Sequence, residues 1–128
     1  MSGCARRVFF LLGGTRALER IGESDMAKMV VIYKHPANPE AFDVHYFGVH
    51  IPLAKKLPGL RTYEVSRGPI TGPRGASGVY LVGILRFDDM QALQRAFESP
   101  EGQACALDVP NYARPEDVQM FLFDDRAV

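Results

Sequence analysis

Tryptophan is absent, cysteine occurs twice and the formal net charge is zero. Each scarcity removes a class of protein. Cys4 and Cys105 lie far apart, and neither belongs to a Cys-x-x-Cys pair or a Cys/His cluster. A disulfide framework and a zinc site are therefore not expected, and the cytoplasm, a reducing compartment, is. Cys105 reads as a small apolar core residue. Fifteen basic residues balance fifteen acidic ones with no block of one sign, which argues against a partner such as nucleic acid or a membrane surface. No apolar run approaches the roughly 20 residues of a membrane-spanning helix. The run Val8 to Leu12 follows Arg6 and Arg7 as a secretory signal would, but it is five residues long, against about 7–15 for a signal core. No Gly-x-Gly-x-x-Gly follows a strand pattern, and there is no P-loop. The stretch Gly75, Ala76, Ser77, Gly78 has the wrong spacing for a nucleophile elbow.

What is present points to one domain. The chain has 128 residues, 47% of them hydrophobic, enough for a single core. Residues 1–25 differ from the rest and are expected to be a disordered or loosely packed extension, with a short extra helix as the alternative. The domain is assigned to residues 26–128. Met29 to Tyr33 is a β-branched run that reads as a strand. Asn38, Pro39 and Glu40 supply an N-cap, a proline at the first helical position and a first-turn acid. Phe42, Tyr46, Val49, Leu53 and Leu57 follow at helical spacing as one buried face, and Pro58 with Gly59 ends it. Pro52, inside that pattern, removes a backbone donor and forces the helix to bend or stop beside His50.

Leu60 to Arg67 alternates with a largely polar side and reads as a strand near a sheet edge. Gly68 to Gly78 holds four Gly and two Pro and reads as a loop. Val79 to Phe87 is a long apolar strand. Asp88 is the expected N-cap of a second helix, with Met90, Leu93 and Phe97 on its buried face. Ser99, Pro100 and Glu101 restart a helix that Pro110 limits, and Val118 to Phe123 is the last strand.

The order β-α-β-β-α-β is the ferredoxin-like arrangement, an α+β fold with a four-stranded antiparallel sheet and its helices on one face. Three of the strands are apolar at both odd and even positions, so both sheet faces need cover. The chain's helices cover one. A second copy packed on the open face, or an apolar ligand, is expected on the other.

Met29 to Lys34, Tyr46 and Phe47, His50 to Ala54, Pro58 to Leu60, Tyr63 to Ser66 and Ser99 to Gln103 together resemble the EthD family, named for ethyl tert-butyl ether degradation. The resemblance covers about 26–124. It implies a dimeric α+β barrel, two such sheets face to face with a cavity between each sheet and its helices. Proteins of this fold include cyclases, isomerases, decarboxylases, dehydratases and small monooxygenases, so the fold does not choose the chemistry. Family members commonly carry an acid a few residues before the histidine; here that position is Gly48.

His50 is the candidate catalytic residue, a general acid or base that titrates near neutrality. The alternative is a helix-end histidine bonded to a carbonyl freed by Pro52. Tyr33 and Tyr63 could place hydroxyls in a mainly apolar cavity. Tyr46, Phe47 and Leu53 complete the candidate ligand contacts, with core packing as the alternative for each. His45 lies five residues before His50, roughly 140° around an ideal helix, so the two imidazoles are not expected to share a face, and no metal site is expected. No cofactor is expected from any motif, and haem, used by some proteins of this fold, is left open. The functional expectation is a small-molecule-binding protein for an apolar or aromatic metabolite, with cofactor-independent cyclase, isomerase or lyase chemistry at His50. Two alternatives stand beside it: a non-catalytic accessory protein of a catabolic pathway, and a small monooxygenase.

Overall fold

Strand β1 (Ala27–Lys34) alternates strictly: Ala27, Met29, Val31 and Tyr33 are buried, and the residues between them are half-buried. That pattern places β1 at the centre of a sheet with its odd positions under the helices. The computed structural model describes residues 26–128, so the expectation for residues 1–25 lies outside the described part. β2 (Thr62–Val65), β5 (Val79–Phe87) and β6 (Val118–Asp124) complete a four-stranded sheet in the order β2-β5-β1-β6, every pair antiparallel. This is the expected ferredoxin-like order, with β2 on an edge as its polar side required. The Gly68–Gly78 loop carries a small hairpin of its own, β3 (Thr71–Gly72) with β4 (Gly75–Ala76).

Two helical layers pack on the same face. The first is composite: α1 (Pro39–His45), one π turn (Tyr46–His50) and α2 (Ile51–Ala54). Asn38 caps α1 by accepting from the Ala41 N–H at 3.1 Å. The second is α3 (Met90–Glu98) and α4 (Pro100–Asp108), joined at Ser99, which caps α4 through the Gly102 N–H. Gly102 is needed at this corner, because a Cβ there would overlap the Ala96 carbonyl and the Phe97 backbone. The N-cap of α3 is Asp89, not Asp88: Asp89 accepts from the Ala92 N–H at 2.7 Å, and Asp88 instead holds the Arg61 guanidinium through two bonds of 2.7 and 2.8 Å.

The register sets what each face carries. Met29 pairs with Leu85 and Leu122, and Val31 with Gly83 and Met120, on the helix side. Val30 pairs with Ile84 and Phe121, and Lys28 with Arg86 and Phe123, on the open side. That open side is apolar at its centre, and Phe121 and Phe123 stand largely exposed. Tyr80 departs from simple alternation. The register shifts between Tyr33 and Lys34, and the Tyr80 ring packs edge-on against Phe42 of α1, its hydroxyl donating to Asp43 at 2.9 Å.

Candidate functional site

The π turn decides the site. Ile51 closes it with an N–H bond to the Tyr46 carbonyl, five residues back. Pro52 has no N–H for the Gly48 carbonyl, so the ordinary helical ladder is already broken there. The extra residue of a π turn moves everything after it by about one position around the axis. The stripe Phe42, Tyr46, Val49, Leu53 is corrected accordingly: Phe42 and Tyr46 are buried, but His50 and Ala54 then take the inward places, and Val49 is exposed. His45 and His50 are also corrected. An i→i+5 turn brings residues five apart to one side, and the two imidazoles meet the same carboxylate.

That carboxylate is Asp108, the last residue of α4. Its Oδ1 lies 2.8 Å from His45 Nε2, and its Oδ2 lies 3.0 Å from His50 Nδ1. Asn111 adds a third bond, Nδ2 to Oδ1 at 3.0 Å. The acid missing at position 48 is thus supplied from another element. His50 and Asp108 are each only 7% exposed. Burial pushes the Asp108 carboxyl up, but the bonds from Asn111, His45 and His50 outweigh it, and the net direction is down. Burial pulls His50 below the ordinary histidine value, against the opposing bond to Asp108. An ionised carboxylate only accepts. Both rings therefore donate an N–H to it, and neutral His50 keeps Nε2 as an unprotonated acceptor.

Aromatic rings fix the imidazoles. His50 stacks on Tyr46 at 5.6 Å and lies 4.9 Å from Tyr112, which also stacks on His45 at 5.5 Å. The tyrosines pair by hydroxyl: Tyr46 with Tyr63, and Tyr33 with Tyr112, each at 2.7 Å. Burial raises the pKa of all four, so they stay protonated. Gly83 makes room for one pair, since a Cβ there would stand 3.2 Å from the Tyr46 hydroxyl.

Between the sheet and the helices lies a cavity of about 210 Å3 with His50, Tyr33 and Tyr63 in its wall. Hydrocarbon side chains make most of the remainder, among them Met29, Val31, Leu57, Leu85 and Phe97, with the free thiol of Cys105. Burial raises that thiol's pKa, with Asp108 adding to the effect. Met120 and Leu122 of edge strand β6 also line it while nearly half-exposed, which places the mouth at that edge. Tyr46 stands behind Tyr63 rather than in the wall. Phe47 lines a separate hollow of about 480 Å3 beneath the β3–β4 hairpin, beside Asp43 and Tyr80, and Leu53 packs against the core and lines neither.

A cavity of this size is below the roughly 300–1,000 Å3 of common cofactor and drug sites. It does not accommodate a porphyrin, so the residues present do not fit a haem. Among the described residues, no group of three or more His, Cys, Asp or Glu side chains could hold a metal ion. No helix among them is long and apolar enough to cross a membrane.

Asp108 and Asn111 were not found by sequence reasoning. One signal was available: an acid in the last turn of α4, where the helix dipole is unfavourable to it and no basic residue shares the turn.

A helix-borne histidine held by a carboxylate lies beside a small apolar cavity in a ferredoxin-like α+β fold. The chain belongs to the EthD family: residues 34–116 match the EthD domain. It is 34% identical over 103 residues to an uncharacterised 11.0 kDa protein in the thcB-thcC intergenic region of Rhodococcus erythropolis, covering 80% of this chain and 98% of that one. A crystal structure of an EthD family protein from Bacillus halodurans is 35% identical with a TM-score of 0.73, over 79% of this chain and 99% of that one. More distant structures share the fold alone. A hydroxynitrile lyase from Passiflora edulis is 16% identical with a TM-score of 0.62, over 80% and 95% of the two chains. The cofactor-independent oxygenase SnoaB of Streptomyces nogalater is 18% identical with a TM-score of 0.56, over 81% and 95%. A dimeric ferredoxin-like protein of unknown function from Jannaschia is 20% identical with a TM-score of 0.55, over 80% and 99%.

Proposed function

We propose that this EthD-family chain binds a small apolar or aromatic metabolite in the cavity beside His50 and moves a proton on it without a cofactor, as a cyclase, isomerase or lyase would. The observation that carries this reading is the bond from His50 Nδ1 to the buried Asp108. A carboxylate in that place fixes the imidazole's tautomer and orientation and stabilises the imidazolium that forms when Nε2 takes a proton. Tyr46, stacked on the ring, and Tyr112, tilted against it, hold it in place. General acid–base catalysis by a positioned side chain contributes about 10²–10⁴-fold. The fold is used by a hydroxynitrile lyase and by a cofactor-independent oxygenase, so chemistry without a cofactor is compatible with it.

The test is proton exchange. A carbon acid that binds the cavity should exchange its acidic hydrogen for deuterium in D2O, and a His50→Gln variant should lose that exchange while keeping affinity. Bound ligand with no exchange in the unaltered protein would favour the accessory role in a catabolic pathway.

The working unit is a homodimer of residues 26–128, closed through the open sheet face. Val30, Ile84 and Phe121 lie side by side on that face, and burying each large side chain contributes roughly 1.5–3 kcal/mol. Sedimentation should show a dimer at micromolar concentration. An Ile84→Lys variant, with its charge at the centre of the interface, should sediment as a monomer.

A further inference from the structure

The lining of the His50 cavity indicates what kind of molecule it takes; this step rests on the reading of His50 as the acting base. No Lys, Arg, Asp or Glu contributes to the wall. An ion placed there would give up its hydration without meeting an opposite charge. The charge behind the wall is that of Asp108, which is negative and makes an anion less welcome still.

The polar groups that do face the cavity can be assigned by counting hydrogens. The Tyr46 hydroxyl is buried, with the Tyr63 hydroxyl as its partner at 2.7 Å. Tyr63 is the partner that the described residues give the Tyr46 hydroxyl, so if Tyr63 donated, the hydrogen of Tyr46 would be buried without an acceptor. Both groups are satisfied when Tyr46 donates to Tyr63 and Tyr63 turns its own hydrogen into the cavity. Tyr46 also stacks on His50, so Tyr63 and His50 are neighbours through it. The wall thus carries the Tyr63 O–H as a donor and the His50 ring, whose Nε2 is left free by the Asp108 bond, as an acceptor; the Tyr33 hydroxyl, paired with Tyr112, and the Cys105 thiol are its other polar groups, and hydrocarbon makes the rest.

We propose that the site takes a neutral aldehyde or ketone with a short apolar or aromatic body and rejects carboxylates and phosphates. The carbonyl oxygen accepts from Tyr63, and an α C–H faces His50 Nε2. In the reaction the C–H bond breaks and its proton goes to Nε2. The electron pair becomes an enolate whose oxygen is held by the Tyr63 O–H, and Asp108 balances the imidazolium. Return of the proton to carbon regenerates the starting state, and no oxidant or reductant is consumed.

Acetophenone, benzoate and toluene are matched probes for the full-length protein, with binding read by NMR titration at neutral pH. Acetophenone is expected to bind about tenfold or more tightly than benzoate, the equivalent of one well-placed hydrogen bond. Tyr63→Phe should weaken acetophenone about tenfold and leave toluene unchanged, which also shows that the variant is folded. Benzoate binding as tightly as acetophenone overturns the proposal. So does an acetophenone affinity indifferent to Tyr63→Phe, or a failure of acetophenone to bind at all. Methyl hydrogen–deuterium exchange on bound acetophenone reports separately on His50. Tight, Tyr63-dependent binding without exchange would overturn the base and leave the ligand class standing.

Discussion

Replacing Asp108 by Asn tests the architecture of the site with almost no change in shape. The carboxylate accepts three bonds: from His45 and Asn111 at Oδ1 and from His50 at Oδ2. An amide has one accepting oxygen. Turning its NH2 toward Oδ1's place would set it against the Asn111 NH2, so the oxygen should stay there and the NH2 should face His50 Nδ1. His50 must then accept at Nδ1 and carry its hydrogen on Nε2, the opposite tautomer. Two effects follow. One charge-assisted set of bonds in a buried site is lost, at a cost of about 1.5–3 kcal/mol. For a domain of this size that is a fall in Tm of roughly 6–15 °C. The base that faces the cavity also disappears, and with it about 10²–10⁴ in any proton-transfer rate. Imidazole ¹⁵N shifts report the tautomer, calorimetry the stability and deuterium exchange the rate. A variant whose His50 keeps its Nδ1–H, with Tm and exchange unchanged, would refute the assignment of Asp108 as the group that orients this histidine.

Three further outcomes are expected. Stability should depend on pH in two windows. His50 has a folded pKa below the ordinary 6.5, so the unfolded chain binds the extra proton first. Stability is full above about 6.5 and falls as the pH drops from there, and His50→Gln should flatten that slope in urea titrations. Asp108, Asp88 and Asp125 have depressed pKa values, so their contribution is present above about 3.9 and is lost as the pH falls further, with or without His50. Gly102→Ala should cost about 1–3 kcal/mol by overpacking, because the new methyl meets backbone rather than a side chain that can swing away; a neutral urea midpoint would show that the α3–α4 corner can open. Tyr46→Phe and Tyr63→Phe, combined in a double-mutant cycle, should couple by about 0.5–1.5 kcal/mol, and strict additivity would remove the hydroxyl pair from the account.

Much of the fold was legible along the chain, because strands and helices here announce themselves by local rules. The β-branched runs, the Asn38–Pro39 and Ser99–Pro100 helix starts, and the polar side of Leu60 to Arg67 each carry their own signal. Choosing Asp88 over Asp89 as a cap failed because the two are adjacent and chemically alike; Arg61, distant in sequence, takes one of them. Tyr80 likewise leaves the simple alternation of β5 because of a register shift at the end of β1, which depends on the partner strand.

His50 was visible as a titratable group beside a helix-breaking proline, and Tyr33 and Tyr63 as hydroxyls for an apolar cavity. Sequence alone thus determined the order of strands and helices, the two-sided apolar strands and the histidine, since composition, periodicity and capping act over a few neighbouring residues. Tertiary structure decided the rest. A helical wheel assumes 3.6 residues per turn, and one π turn was enough to move His45 and His50 onto a common carboxylate. That carboxylate comes from the far end of α4, 58 residues beyond His50, and no local rule reaches across that distance. The hydrogen bonds that hold the imidazole, and the tyrosine pair that turns a donor into the cavity, exist only once the two helical layers are packed on one sheet.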